Sequence, residues 1–196
     1  MRNIRNGTAG RWTLRIPQVA AVATITFLAI EPLRAEVRRV TFPVQGMICP
    51  LCTRGVEEAI RPLPAVAGVT ADLASGRVDV QAAPQQSLDI KTVRERASHT
   101  GFPVVGESDI EARGRFDIGP EGKITFRPTG TAYVWQVIES NGLLAMFRAY
   151  PSLKGDFVVE FRLHDRPPVT KPTISVVRGQ PAAALTASKT PALVRP

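Results

Sequence analysis

The spacing of apolar and polar positions changes period several times along this chain, and each change marks an element. Val37, Val40, Phe42 and Val44 predict a strand. From Cys52 to Arg61 the apolar positions Val56, Ala59 and Ile60 recur at helical spacing, with Glu57 and Glu58 turned outward. Pro62 and Pro64 end that helix. Val69, Ala71 and Leu73 alternate as a second strand, Ala74-Ser75-Gly76 is a turn, and Val78 and Val80 alternate as a third strand. Ile90, Val93 and Ala97 mark a second helix, with Ser87 or Asp89 as its cap. Gly101 ends it, and Phe102 to Val105 reads as a short fourth strand. The order βαββαβ is the ferredoxin-like split arrangement, which residues 36–106 are long enough to fill as two layers.

Beyond this unit the pattern is β. Residues 107–113 are charged without a clear period and read as a linker. Phe116 and Ile118, then Ile124 and Phe126, alternate around a Gly119-Pro120-Glu121-Gly122 turn. Tyr133, Trp135 and Val137 follow, and Asn141-Gly142 reads as a hairpin turn before Leu144, Met146 and Arg148. Phe157, Val159, Phe161 and Leu163 form a longer strand, and Ile174 and Val176 a short last one. Residues 114–179 are therefore expected to form a small antiparallel all-β barrel or sandwich. The fold class is α+β. Residues 180–196, rich in Ala, Pro, Thr and Ser, read as a disordered tail.

The first 35 residues change the charge picture. Five of the 25 basic residues and one of the 17 acids lie there, so the formal charge of +8 belongs partly to this segment. The remainder is mildly basic with its charges scattered, which argues against a nucleic-acid partner. Met1 to Arg15 holds four arginines and no acid, Ile16 to Ile30 carries no charge, and Leu33-Arg34-Ala35 ends in a small residue. That order fits an export signal, and the uncharged run is short for a membrane span. Residues 1–35 are thus expected to direct the chain out of the cytoplasm, into a bacterial periplasm, with no stable membrane insertion once the signal is cut.

Cys49 and Cys52 are the two cysteines of the 196-residue chain, and they stand in Gly46-Met47-Ile48-Cys49-Pro50-Leu51-Cys52. The pattern places them on a turn leading into a helix N-terminus, where unpaired N–H groups and the helix dipole favour a thiolate, at Cys52 at least. A thiolate pair on a loop suits a soft cation of low coordination number, Cu(I) or Hg(II), with Zn(II) a weaker candidate. It suits thiol–disulfide exchange equally. An oxidising compartment would let the two thiols pair, which blocks metal until they are reduced. His99 and His164 read as structural or surface residues, and Trp135 and Met146 as core. No nucleophile–base set or phosphate loop can be assembled at useful spacing, so an enzyme is not expected outside the redox reading.

Residues 37–105 resemble a heavy-metal-associated domain, the small metal-trafficking module of copper chaperones, of metal-exporting P-type ATPases and of the periplasmic mercuric-ion scavenger. The likeness rests on Gly46-Met47-x-Cys49-x-x-Cys52, on Leu63-Pro64-x-Val66-x-Gly68-Val69, on Leu73-Ala74-Ser75-Gly76-Arg77-Val78 and on Gly101-Phe102, in that order. The resemblance implies that Cys49 and Cys52 are the metal ligands, that Met47 packs under the loop, and that the ring of Phe102 lies close to it. It implies capture of the ion and its passage by thiolate exchange to a metal-transporting membrane protein or another acceptor. Against the family pattern, Ile48 replaces a common Thr, and Pro50 fixes one φ angle and removes an N–H. The thioredoxin-like alternative would place an aromatic residue just before the cysteines, where this chain has Gly-Met-Ile.

Overall fold

A computed structural model describes residues 37–164 and 172–187. The expected export signal and most of the expected disordered tail lie outside the described residues. All the described elements belong to one compact unit, residues 32–196.

The first elements follow the expected order: β1 (Val37–Pro43), α1 (Pro50–Ile60), β2 (Val66–Asp72), β3 (Arg77–Ala82) and α2 (Ile90–Ser98). Val40 and Phe42 alternate into the core from β1, and Val37, also fully buried, joins them across a register shift between Val37 and Arg39. The helices cover that face with Val56 and Ile60 from α1 and Ile90, Val93 and Ala97 from α2. Of the two expected caps, Asp89 starts α2 by accepting from Lys91 N, while Ser87 Oγ accepts from Val37 N at 2.9 Å.

The fourth strand differs from its expected place. Residues 102–105 make a single bridge, Val44 to Val104, whose two bonds run from Val105 N to the Pro43 carbonyl and from Gln45 N to the Pro103 carbonyl. Pairing with β1 resumes in β4 (Ser108–Ile118), at Asp109–Thr41, Ile110–Val40 and Ala112–Val37. Residues 107–113 are therefore not a linker. Their charged positions alternate with Ser108, Ile110 and Ala112, all fully buried. Two of these are small, so the apolar alternation is weak although the burial is complete.

The same residues of β4 pair on their other edge with β7 (Phe157–His164), from Ser108–Leu163 to Gly114–Phe157. The second half of β4 pairs with β5 (Ile124–Pro128), which pairs with β6 (Trp135–Ile138). β6 runs parallel to β8 (Thr173–Pro181), and β8 returns antiparallel to β7. The ring β4-β5-β6-β8-β7 closes on itself, while the sheet as a whole reads β2-β3-β1-β4-β5-β6-β8-β7. This order, with a helix between the third and fourth barrel strands, is that of the OB-fold barrel. The second half is thus a barrel, as expected, but it is neither all-β nor wholly antiparallel, and it is not a separate sheet. Inside it Phe116, Phe126, Phe161 and Trp135 form a chain of tilted rings, with successive centroids 5.0, 5.7 and 5.1 Å apart.

The helix is α3 (Asn141–Ala149), which takes the place of the expected hairpin at Asn141-Gly142. Ser140 caps it, accepting from Leu143 N at 3.2 Å and donating to the Val176 carbonyl at 2.8 Å. Leu143 and Met146 are buried, and Phe147 and Tyr150 continue their helical spacing against the core. Gly142 lets the first turn approach the carbonyls of Val176 and Val177 where a Cβ would collide. After β8 a short α4 (Ala182–Ala187) covers part of the expected tail.

Side chains tie the two halves together across β4. Asp109 accepts from Arg77 of β3 at 2.7 Å and from Arg162 of β7 at 2.9 Å. Asp156 accepts from Arg115 at 2.7 Å and Arg113 at 3.1 Å. Burial pushes the Asp156 carboxyl up, but the guanidinium groups of Arg115 and Arg113 outweigh it and hold it below its ordinary value. A carboxyl with a depressed folded-state pKa stabilises the fold above its unfolded value, and that contribution disappears as pH falls through the folded value. Asp156→Asn should therefore cost no more than about 1 kcal/mol at neutral pH, since the Arg115 partner is largely exposed. It should also flatten the fall of Tm below about pH 4. Thermal unfolding across a pH series reads both, and a variant with the same acid slope as the parent contradicts the assignment.

Removing β4 exposes the whole open edge of β1. Residues 32–196 should unfold in one cooperative thermal transition, and a fragment ending at residue 106 should lose it. Calorimetry on the two decides it, and an undiminished transition in the short fragment contradicts the role given to β4.

Candidate metal centre

The loop between β1 and α1 is held from both sides. Val44 N donates to the Gly76 carbonyl at 2.8 Å, and Gln45 N donates to the Pro103 carbonyl at 3.0 Å. Gly46 then takes φ +90°, a region that costs a residue with a Cβ roughly 1–3 kcal/mol. A Cβ there would also touch the ring of Phe102 at 3.5 Å, so that ring packs over the start of the loop. Met47 turns inward and is buried, whereas Ile48 and Leu51 are 86% and 79% exposed.

Cys49 is the N-cap of α1 in extended conformation, and Pro50 opens the helix. The first helical position needs no N–H, so the proline departs from the family pattern without breaking the helix. Cys52 N donates to the Cys49 carbonyl at 3.0 Å and lies 3.2 Å from Cys49 Sγ. The first turn of α1 contains no acidic side chain. Negative charge on Cys49 Sγ would meet an amide N–H and the positive end of the helix dipole, with no neighbouring carboxylate in that turn to oppose it. Both cysteines are half-buried, and they are joined as a disulfide with their Cα atoms 5.2 Å apart.

The other ligand candidates stand elsewhere. His164 is shared between Glu107 Oε1 at 2.6 Å and Ser175 Oγ at 2.9 Å, which makes it part of the sheet's end. His99 is the exposed C-cap of α2. Among the described residues no cluster of three or more His, Cys, Asp or Glu side chains is placed to hold a metal ion. No described helix is long and apolar enough to cross a membrane.

A two-cysteine turn capping the first helix of a split βαββαβ layer is the framework of a small soft-metal module. Residues 41–103 are a heavy-metal-associated domain, the family they match in sequence. A probable copper-transporting ATPase of Arabidopsis thaliana, HMA5, is 35% identical over 66 residues, which are 34% of this chain and 6% of that protein. The chain thus spans a small fraction of the length of that relative. Among solved structures, the CopZ metallochaperone is 25% identical, with 34% of this chain and 98% of that chain covered and a TM-score of 0.32. Oxidized MerP from Ralstonia metallidurans CH34 is 22% identical, with 35% and 93% covered and a TM-score of 0.32.

Gly46→Ala should cost about 1–2 kcal/mol of stability through its backbone conformation. Chemical denaturation of the purified protein measures this, and an unchanged midpoint contradicts the conformation described for the loop.

Proposed function

We propose that this chain captures a thiophilic cation, Cu(I) or Hg(II), between Cys49 and Cys52 and passes it to an acceptor by thiolate exchange. The observation that carries the reading is the cysteine pair at the cap of α1, on the surface of a heavy-metal-associated domain. Copper comes first, because the curated relative is named as a copper transporter. Zn(II) prefers four ligands, and two thiols supply half of them.

Capture begins from reduced protein. Opening the disulfide takes two electrons and two protons from a thiol reductant and leaves two thiols. Binding then releases the thiol protons as the cation takes their place. An incoming thiolate from the acceptor adds to the ion, Cys49 or Cys52 departs, and a second exchange completes the transfer. Once the disulfide is open, the exchange itself makes and breaks only metal–sulfur bonds. The exposed side chains of Ile48 and Leu51 flank the pair and leave it open to an acceptor's own loop. That acceptor is a metal-transporting membrane protein or another thiol carrier. The export signal read in residues 1–35 supports placing this traffic in the periplasm. The barrel, which supplies no cysteine, is assigned to docking or positioning.

The disulfide between Cys49 and Cys52 gives the redox alternative one observation in its favour. A thiol–disulfide oxidoreductase would exchange electrons through the same pair and need no metal.

Reduced protein should bind one Cu(I) per chain against a competing chelator, and Cys49→Ser or Cys52→Ser should each weaken binding more than about a hundredfold, roughly 2.7 kcal/mol. Oxidised protein should bind none. Unchanged affinity in both single variants, or catalytic turnover of a disulfide substrate without metal binding, would favour the alternative.

A further inference from the structure

The outer face of the barrel brings together a serine, a histidine and a carboxylate that lie far apart in the chain. His164 closes β7, Ser175 lies within β8, and Glu107 stands just before β4. Leu163, Ile174 and Val176 point into the core, so His164 and Ser175, which alternate with them, face outward. Arg162 pairs with Ser175 and His164 with Thr173, which makes Ser175 the diagonal neighbour of the histidine. Ser108 pairs with Leu163, and the residue before it, Glu107, comes up on the other flank of the ring. His164 bridges the two: Nδ1 lies 2.6 Å from Glu107 Oε1, and Nε2 lies 2.9 Å from Ser175 Oγ.

An ionised carboxylate only accepts hydrogen bonds, so Glu107 keeps the proton of a neutral imidazole on Nδ1. Nε2 then holds its lone pair toward the Ser175 hydroxyl. Nucleophile, base and orienting carboxylate stand in the order that activates a serine. The ring is within reach of solvent, with 25% of its side chain exposed, and Ser175 is half-buried. Ser175 is paired on both edges, with Arg162 and with Ile138, so the sheet takes up its backbone groups. The nearest donor for a developing oxyanion is then the guanidinium of Arg162, directly across from Ser175 and held by Asp109 through Nε at 2.9 Å. We propose that this face is a second site, which cleaves small carboxylic esters by acyl transfer through Ser175 and His164. Ser175 Oγ adds to the ester carbonyl carbon as its proton passes to Nε2. The bond to the alcohol oxygen breaks, and that oxygen takes the proton from Nε2. Water then adds to the acyl carbon by the same route and frees Ser175 and the acid. Glu107 is a positioning residue, since it acts only through the ring. The site shares no residue with the metal loop.

The test uses the purified protein with Cys49 and Cys52 kept as the disulfide, so that neither thiol competes. A biotinylated fluorophosphonate probes the nucleophile: Ser175 Oγ should displace fluoride and carry the adduct, located by peptide mass. Hydrolysis of p-nitrophenyl acetate reads turnover. Ser175→Ala and His164→Gln should each lower kcat at least about a hundredfold. Glu107→Gln offers Nδ1 an N–H and so favours the wrong tautomer, which should lower kcat about tenfold with KM and the thermal transition unchanged. Thr173→Ala, on the same face, should leave turnover as it is. No adduct on Ser175, an adduct formed equally by urea-unfolded protein, or turnover that survives Ser175→Ala would overturn the proposal.

Discussion

The pairing of β4 on both its edges is the constraint on which the rest of the fold depends. On one edge it completes the metal domain beside β1, and on the other it joins β7 of the barrel. A strand can serve two cores in this way only if its inward positions suit both. Ser108, Ile110 and Ala112 are fully buried, and the run of small residues lets neighbouring strands and side chains close over them. The outward positions then carry the charges that stitch the strand to its neighbours, through Asp109 to Arg77 and Arg162. Partly exposed ion pairs of this kind contribute little individually. The backbone ladder and the apolar faces hold the two halves together, and the charges set their register.

The metal loop depends on this arrangement at one remove. β1 delivers the chain to Gly46, the segment after α2 covers it with Phe102, and Pro103 holds Gln45 by its backbone. Below the loop Met47 is a buried side chain of the core. Above it, Ile48 and Leu51 are exposed and uncharged. The two sulfurs thus sit between an apolar floor and an open approach. That placement suits an ion that must be held by few ligands and released to an incoming one.

Much of the metal domain was legible from period alone, since β1, α1, β2, β3 and α2 each present apolar residues at the spacing of their own structure. The first half of β4 was not legible, because Asp109, Glu111 and Arg113 alternate there with buried positions that include the small residues Ser108, Ala112 and Gly114; its second half, Phe116 and Ile118, did read as a strand. α3 was hidden by Asn141-Gly142, a strong turn signal, and by the accidental alternation of Leu144 with Met146. Its helical face, Leu143, Met146, Phe147 and Tyr150, is legible only in the other period. The barrel's parallel β6–β8 pair joins strands distant in sequence, which no local pattern reports. At the site the cysteine pair stood out, but its bonded state did not.

The central claim is that the two sulfurs of Cys49 and Cys52 hold the cargo by themselves. X-ray absorption at the copper edge of the Cu(I)-loaded, reduced protein tests it most directly. The account predicts a first shell of two sulfur scatterers and no nitrogen or oxygen. A shell containing an imidazole nitrogen, or fewer than two sulfurs, would contradict it.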